Sequence, residues 1–221
     1  MDALLEQAVQ GMKKNGFEVV EVRTAAEACD YLLAHIDAEK SVGVGGSVSV
    51  RDTGVLPALA QKGCKVYTSW GAKPEDVPMI RESSRRADVY LSSANAVTRT
   101  GKLVLVDGTG NRVGAICDGP EEVYFVISHS KVVDGGINTA VARIKKTACP
   151  QNTRRLGIDT PCARTGNCGG DKCENSICRL TLVVDRVPRN RHMTVIFVEE
   201  ALGYETLIQE YGLTQESVAQ R

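Results

Sequence analysis

The sequence predicts an α/β fold in which a mainly parallel β-sheet is flanked by helices and carries an antiparallel hairpin portion. Segments with apolar residues at helical spacing alternate with short apolar runs over most of the chain, which is typical of βαβ units. Residues 107–111, Asp-Gly-Thr-Gly-Asn, are typical of a hairpin turn and predict the antiparallel portion. The length of 221 residues suits one α/β domain spanning residues 1–221.

Helices are predicted from apolar spacing and from their end signals. The first places apolar residues from Leu4 to Met12 on one face, and Gly16 ends it. Thr24 and Glu27 form a capping box at the start of the second. Pro150 is expected to end or kink the fifth, since proline has no N–H to donate. The predicted helices are residues 2–15, 24–36, 55–61, 74–86, 136–146 and 204–212.

Strands are predicted where short apolar runs are bounded by turn residues. The 107–111 turn is expected to join two of them into a hairpin, over residues 103–106 and 112–116. The other predicted strands are residues 17–22, 41–44, 65–67, 88–92, 122–128, 180–185 and 193–199, with a short apolar stretch near Val132.

Composition narrows the class of partner and the cellular compartment. Lys plus Arg and Asp plus Glu number 27 each, and aromatic residues make up only 5%, so nucleic acid is not an expected partner. No apolar run approaches the roughly 20 residues that span a bilayer, and the N-terminus lacks the apolar core of a signal peptide. We therefore expect a cytoplasmic protein without a membrane partner. Its eight cysteines then indicate metal binding or reactive thiols rather than disulfides.

Residues 149–179 are polar, rich in glycine and cysteine, and without clear periodicity; we call them the cysteine segment. It contains four candidate metal ligands within seventeen residues: Cys162, Cys168, Cys173 and Cys178. Thiolates converging on a metal would supply the energy that orders such a loop. Four cysteine ligands also complete an iron–sulfur cluster, which we expect to be [4Fe-4S].

Zinc is the alternative metal for the cysteine segment. Structural zinc sites usually take close cysteine pairs, whereas the gaps here are five, four and four residues. The gaps also differ from those of the bacterial ferredoxin run. On these ligand rules we favour iron–sulfur over zinc, and zinc over purely redox-active or structural thiols. Cys149 is a fifth candidate ligand that could replace Cys162, remain a spare thiol or simply pack. The other three cysteines, Cys29, Cys64 and Cys117, are expected to pack as small apolar residues.

Two turn regions carry residues suited to binding a small anion. Gly45, Gly46 and Ser47 follow a predicted strand, where glycines allow the backbone to approach a ligand, although a tight turn without a ligand explains them equally well. In the second region, Asn95, Asp107, Asn111 and Arg112 include residue types that hairpin turns favour, and Asn111 and Arg112 could equally bind a carboxylate or phosphate.

His129 and Lys131 follow a predicted strand and are candidates for acid–base chemistry. For an isolated His–Lys pair in a loop, we favour two solvent-exposed side chains over a role in acid–base chemistry.

Taken together, four motifs resemble the lactate-utilisation (LUD) domain family, which includes LutC-like and YkgG-like proteins. They are VGVGGSVSVRDTG, ANAVTRTGKLVLVDGTGNRVGAI, CPQNTRRLG and HMTVIFVEEALGY, spread over residues 42–204. The cysteine segment looks like that of the single-domain branch of the family. The resemblance implies a fold like that of glucosamine-phosphate deaminase, ribose-phosphate isomerase and CoA transferases, and a link to lactate oxidation beside iron–sulfur partner proteins.

The first functional hypothesis is an iron–sulfur protein in the metabolism of a small 2-hydroxy or 2-oxo acid such as lactate. Its pocket would lie at the carboxyl ends of the strands, with Arg112 binding the carboxylate. Its other residues would be Gly45, Gly46, Ser47, Asn95, Asp107 and Asn111. The alternatives are a non-catalytic metal-binding partner or redox sensor, and an isomerase or transferase acting on a phosphorylated or CoA-linked substrate.

Overall fold

The computed structural model describes residues 2–203 and builds them into two β-sheets. The first sheet has six parallel strands: β1 Glu18–Val22, β2 Ser41–Val44, β3 Lys65–Thr68, β4 Val89–Ser92, β7 Glu122–Ser128 and β10 His192–Val198. The second sheet is mixed and has four: β5 Ala96–Thr98, β6 Leu103–Asp107, β8 Val132–Val133 and β9 Leu180–Val184. Their spatial orders are β1-β10-β7-β4-β2-β3 and β8-β5-β6-β9. The predicted α/β class with a mainly parallel sheet is confirmed.

Helices connect most of the strands. They are α1 Ala3–Lys14, α2 Ala25–His35, α3 Val48–Asp52, α4 Val55–Lys62, α5 Val77–Arg85, α6 Asn111–Asp118, α7 Ile137–Arg143, α8 Cys149–Arg155 and α9 Pro161–Thr165. Short 3₁₀ turns lie at Pro74–Asp76, His129–Lys131 and Gly170–Lys172. Between residues 2 and 203, no helix combines the length and apolar character needed to cross a membrane. The predicted helix over residues 204–212 lies outside the described residues.

The capping signals of the second helix act as the sequence predicts, with one shift. The Thr24 hydroxyl accepts a hydrogen bond from the Glu27 N–H at 3.1 Å. The Glu27 carboxylate reaches back one residue beyond the cap and accepts from the Arg23 N–H at 2.7 Å. The first bond satisfies an N–H group that the helix start leaves without an intrahelical partner, and the second holds the residue before the cap.

Strand β7 lies in the middle of the large sheet and is buried on both faces. Val123, Phe125 and Ile127 face one apolar core, which contains α1, α6 and residues of the second sheet. Tyr124 and Val126 face the other core, which contains α2, α3 and α4. This continuous apolar character is typical of a parallel strand covered by helices on both sides.

A third apolar core covers the far face of the second sheet and anchors the start of the cysteine segment. Ala96 and Val104 of that sheet pack there with the apolar faces of α7 and α8. Cys149 and Cys162 belong to this core and are 5% and 7% exposed. The second sheet thus joins the rest of the protein to the cysteine segment.

The predicted strand over residues 112–116 is wrong, because these residues form helix α6. The turn after β6 does not lead into a hairpin: Gly110 adopts φ +84°, and the Asp107 carboxylate accepts N–H groups from the turn and from the first turn of the helix. Strand β6 instead forms its hairpin with β5, which precedes it. The turn between them includes Gly101 at φ +75°.

The sequence predicts that the fifth helix ends or kinks at Pro150, and it does not end there. After α7 the chain widens into a π-helical turn, Ile144–Ala148, and continues directly into α8. Pro150 stands in the first turn of α8, where a missing N–H is tolerated. Much of the cysteine segment is therefore helical rather than an irregular loop.

Two helical glycines provide a matched test of the packing. A Cβ on Gly11 of α1 would lie 2.4 Å from the Thr100 carbonyl carbon, whereas one on Gly114 of α6 would meet no atom within 4 Å. We expect Gly11→Ala to lower the free energy of unfolding by roughly 1–3 kcal/mol through overpacking. Gly114→Ala should raise it by roughly 0.5–1 kcal/mol, since alanine favours a helix. Urea denaturation measures both, and a Gly11→Ala protein as stable as the parent would contradict the packing of α1 on the β5–β6 turn.

Candidate functional site

A pocket of about 700 Å³ opens where strands of the large sheet end. Its wall includes residues that follow the carboxyl ends of β2, β4 and β7, because parallel strands bring those ends to one edge. The turn after β6, helix α8 and part of the cysteine segment complete the wall. The pocket therefore lies between the two sheets and the cysteine segment.

The lining of the pocket is strongly basic. Among the described residues it contains one carboxylate, Asp107, against five cationic or potentially cationic side chains: Arg81, Arg112, Lys131, Arg155 and Arg179. Serine and asparagine side chains supply further polar groups. Such a wall suits an anionic ligand, because arginine binds carboxylate and phosphate through paired N–H groups.

Asp107 is 7% exposed and is the last residue of β6, directly before the turn that leads into α6. Its Oδ1 accepts from the N–H groups of Thr109 at 3.0 Å and Gly110 at 2.8 Å, and its Oδ2 from the N–H of Val113 at 3.3 Å. Burial alone would raise its pKa, but these N–H groups and the positive charge of Arg112 outweigh burial and lower it. The carboxylate therefore stays ionised and fixes the turn.

Arg112 is held on one side by polar groups and faces the pocket. Its Nη2 donates to Asn95 Oδ1 at 2.9 Å and to the Val106 carbonyl oxygen at 2.6 Å, and its Nε lies 3.6 Å from Asp107 Oδ2. Asn95 Oδ1 also accepts from the Val106 N–H at 2.9 Å, which fixes the amide. The guanidinium is thus oriented before any ligand arrives.

The structure brings together most of the residues predicted from the two turn regions. Six line the pocket: Gly46, Ser47, Asn95, Asp107, Asn111 and Arg112. Gly45 lies behind the wall, where a Cβ would stand 3.0 Å from the Tyr90 hydroxyl and 3.7 Å from the Arg112 Cβ. The close approach of these side chains accounts for that glycine.

The sequence favoured a solvent-exposed Lys131, and this prediction is wrong. The residue is only 4% exposed and lines the pocket. Its Nζ donates to Ser49 Oγ at 2.7 Å and to Ser93 Oγ at 2.8 Å. Burial, with the positive charges of Arg143 and Arg112, lowers its pKa to about 7, against a small opposing effect of Asp52. The sequence signal for this site was its place shortly after a predicted strand that is almost entirely apolar, residues 122–128.

His129 does not line the pocket. Its ring packs on Phe197 with the centroids 4.1 Å apart, and burial lowers its pKa while Glu199 and Glu21 oppose the shift. It packs beside the sheet instead of contributing to the site.

Cys149 links the cysteine segment to the pocket. It lines the pocket, and its Sγ shares a hydrogen bond with Cys178 Sγ at 3.1 Å, a separation too long for a disulfide. That hydrogen bond and burial raise the pKa of Cys149. The same hydrogen bond lowers the pKa of Cys178; burial opposes this shift, and the positive charge of Lys145 adds to it. The two sulfur atoms are therefore in direct hydrogen-bond contact.

The remaining candidate ligands lie around this pair. The Cys162 Sγ contacts the Thr160 Oγ1 at 3.3 Å, and Cys168 and Cys173 are more exposed. The charges of Cys162 and Cys168 also act on Cys149, so the five thiols form one neighbourhood. Within residues 2–203, however, no three His, Cys, Asp or Glu side chains are grouped so that they would hold a metal ion. The metal site remains a prediction.

One buried donor in the cysteine segment points to a missing acceptor. Arg154 Nη1 is buried and has no hydrogen-bond partner in the described part of the chain, while its Nε donates to the Ala163 carbonyl oxygen at 2.7 Å. Cys162 is close enough for its charge to act on the guanidinium. A thiolate or sulfide would accept from this N–H group. The donor set, five thiols with a spare cationic N–H, fits a thiolate-ligated metal centre.

Comparison with known proteins settles the family. The LUD domain model matches residues 5–198. The chain belongs to the LUD domain family. A solved structure, a DUF162 family protein from Deinococcus radiodurans, superposes with a TM-score of 0.50 over 88% of this chain and 96% of the other, at 14% identity. At that identity the likeness concerns the fold alone. A search of curated proteins found no match.

The family model spans both sheets and, apart from Gly203, the pocket residues of the LUD domain described above. It also spans the whole cysteine segment. Membership of the family suggests a role in lactate utilisation.

The role of Asp107 gives a stability prediction with a defined pH dependence. We expect Asp107→Asn to lower the free energy of unfolding at pH 7 by about 1–3 kcal/mol, because an amide cannot accept all the N–H bonds of the carboxylate. The pKa of Asp107 in the folded state lies below the ordinary value of 3.8, so the ionised carboxylate stabilises the fold at neutral pH. This contribution is lost as pH falls through the folded-state value.

Urea denaturation at pH 7 and at acid pH tests this expectation. Asp134→Asn is the control: that carboxylate is 70% exposed and pairs with the exposed Arg99, so its loss should change stability by less than about 1 kcal/mol. Equal effects of the two substitutions at pH 7 would show that Asp107 does not organise the turn.

Proposed function

We propose that this LUD domain is an iron–sulfur protein acting in the metabolism of a small 2-hydroxy or 2-oxo acid such as lactate. The observation that carries the proposal is the fixed Arg112 in a basic pocket whose wall includes Cys149. The arginine is the binding group for a carboxylate, and the cysteine segment is the metal-binding element. Arg112 and Cys149 line the same pocket, which suits an acid whose chemistry depends on electron transfer.

One part of the Arg112 guanidinium is not engaged by the protein, and this supports its role in binding the carboxylate of the substrate. Its Nη2 and Nε are engaged by Asn95, Val106 and Asp107, and its Nη1 has no acceptor among residues 2–203. Its side chain is 17% exposed, so a ligand would meet it in a partly dry environment. A hydrogen bond between ionised groups is strengthened there, because less water competes.

The metal centre would be held by cysteines of the cysteine segment. The proposed ligands are Cys162, Cys168, Cys173 and Cys178, with Cys149 as the fifth candidate. A [4Fe-4S] cluster supplies one-electron chemistry when bound, and zinc in the same place would be structural. Arg154 would donate its free Nη1 hydrogens to the sulfur ligands and offset part of their negative charge. Iron–sulfur redox proteins are the proposed partners.

Substitution of the carboxylate-binding arginine tests the substrate class. We expect Arg112→Lys to weaken pyruvate or lactate binding by about tenfold, or ~1.4 kcal/mol, because lysine cannot form the paired contact. Trp70 is the sole tryptophan and lines the pocket, so its fluorescence reports occupancy.

Arg86→Lys is the matched control for this titration. That side chain is 75% exposed and pairs with Glu82 on α5, and its change should leave binding unaltered. Equal affinity of the parent and Arg112→Lys proteins would contradict the assignment of Arg112.

Metal analysis of a cysteine variant tests the cluster. In protein purified without oxygen we expect iron and acid-labile sulfide near four per chain, as [4Fe-4S] requires. Cys178→Ser should abolish both, because it removes a ligand at the centre of the thiol neighbourhood. Cys117→Ser should retain them, since Cys117 is exposed on α6 outside the cysteine segment. Zinc near one per chain without sulfide would contradict the iron–sulfur assignment.

The size of the pocket favours a second candidate function. A volume of about 700 Å³ exceeds the needs of a three-carbon acid, and Arg81, Arg155 and Arg179 add cationic groups beyond Arg112. Both features suit a phosphorylated or CoA-linked substrate of an isomerase or transferase. Competition between a sugar phosphate and pyruvate, followed by Trp70 fluorescence, separates the two. Much tighter phosphate binding would favour this second function.

A further inference from the structure

The amine of Lys131 is the buried reactive group of the pocket that the carboxylate-binding role does not use. It lies between two hydroxyls, Ser49 Oγ on α3 and Ser93 Oγ after β4, at 2.7 Å and 2.8 Å. All three residues line the pocket and are at most 4% exposed. Three separate parts of the chain therefore converge to hold one amine at the base of a ligand-sized cavity.

The surroundings of this amine favour its neutral form on geometric grounds. An ammonium group has three N–H bonds to satisfy, whereas a neutral amine has two and a lone pair. Nζ has two acceptors, and no carboxylate lies within ion-pair distance of it in the described ranges. The charged groups that act on it are Arg143 of α7, Arg112 of α6 and Asp52 of α3, so positive charge prevails. A buried unpaired ammonium would be costly there.

Its neighbours leave the lone pair available to a ligand. With the two N–H bonds directed to the serine hydroxyls, the lone pair of the neutral amine is the remaining site of reaction. Burial and the two arginines lower the pKa of Lys131 to about 7, which agrees with a substantial neutral fraction at neutral pH.

We propose that Lys131 is a catalytic residue that forms an imine with the carbonyl carbon of a 2-oxo acid bound in the pocket. The Nζ–carbon bond forms, the carbon–oxygen double bond breaks, and the oxygen leaves as water with the two amine hydrogens. Ser49 and Ser93 relay these protons between nitrogen and oxygen. The step needs no oxidant or reductant, and its reversal by water releases the acid.

The two cationic groups define the substrate class. Arg112 and Lys131 lie close enough for their charges to interact, and each faces the pocket. A 2-oxo acid carries its carboxylate and its carbonyl on adjacent carbons, so one small molecule offers a group to each. A 2-hydroxy acid has no carbonyl and forms no imine. This inference rests on the proposed function and narrows it to the 2-oxo acid.

Reductive trapping with pyruvate as the probe tests the imine. The full-length protein, purified without oxygen, is incubated with pyruvate and cyanoborohydride, which reduces an imine to a stable amine. We expect one adduct per chain by intact mass, and peptide mapping of the parent protein should place it on Lys131. Lys131→Met should lose the adduct, whereas Lys13→Met, which removes an exposed lysine of α1, should retain it. Ser49→Ala and Ser93→Ala should slow trapping while leaving the lysine in place.

Binding is followed in parallel by Trp70 fluorescence, so that the two proposals fail separately. Saturable fluorescence change with no adduct, or with an adduct on another lysine, overturns the imine and leaves the carboxylate site standing. Neither binding nor adduct with pyruvate overturns the imine and the 2-oxo acid function together. Because mapping is done on the parent protein, the result does not depend on whether Lys131→Met folds.

Discussion

A buried carboxylate stays ionised only if hydrogen bonds replace its lost water, and Asp107 meets this constraint by organising the chain around it. Two backbone N–H groups of the β6–α6 turn and one from the first turn of α6 converge on its oxygens, so the chain leaves the strand and enters the helix at a fixed angle. Arg112, in the first turn of that helix, is thereby placed beside Asn95 at the pocket wall. One carboxylate thus determines both a local fold and the direction of the cation that faces the ligand.

The same constraint explains where the sequence predicted the structure and where it did not. Strands with continuous apolar character, such as β7, were predicted with near-correct bounds because burial on both faces leaves a local signal. Helix α6 was missed, since Asp-Gly-Thr-Gly-Asn favours a hairpin locally and only the contacts of Asp107 turn it into a helix start. The turn residues of the site were identified from composition. The environment of Lys131 was not predicted, because its hydrogen-bond partners Ser49 and Ser93 are distant in sequence.

The pocket and the cysteine segment are connected through the second sheet. Its outer face packs against the third core, which holds Cys149 and Cys162, while its inner face packs against the core shared with the large sheet. Cys149 itself both lines the pocket and contacts Cys178. A ligand in the pocket would therefore affect a metal bound by the cysteine segment through direct packing contacts. No long-range change of shape would be needed.

A crystal structure of protein purified without oxygen, grown with pyruvate and recorded at the iron absorption edge, tests this account most directly. We expect anomalous iron density within the cysteine segment and a pyruvate carboxylate bound to Arg112, with its carbonyl carbon toward Lys131. A pocket that stays empty at saturating pyruvate, beside cysteines without iron density, would contradict it.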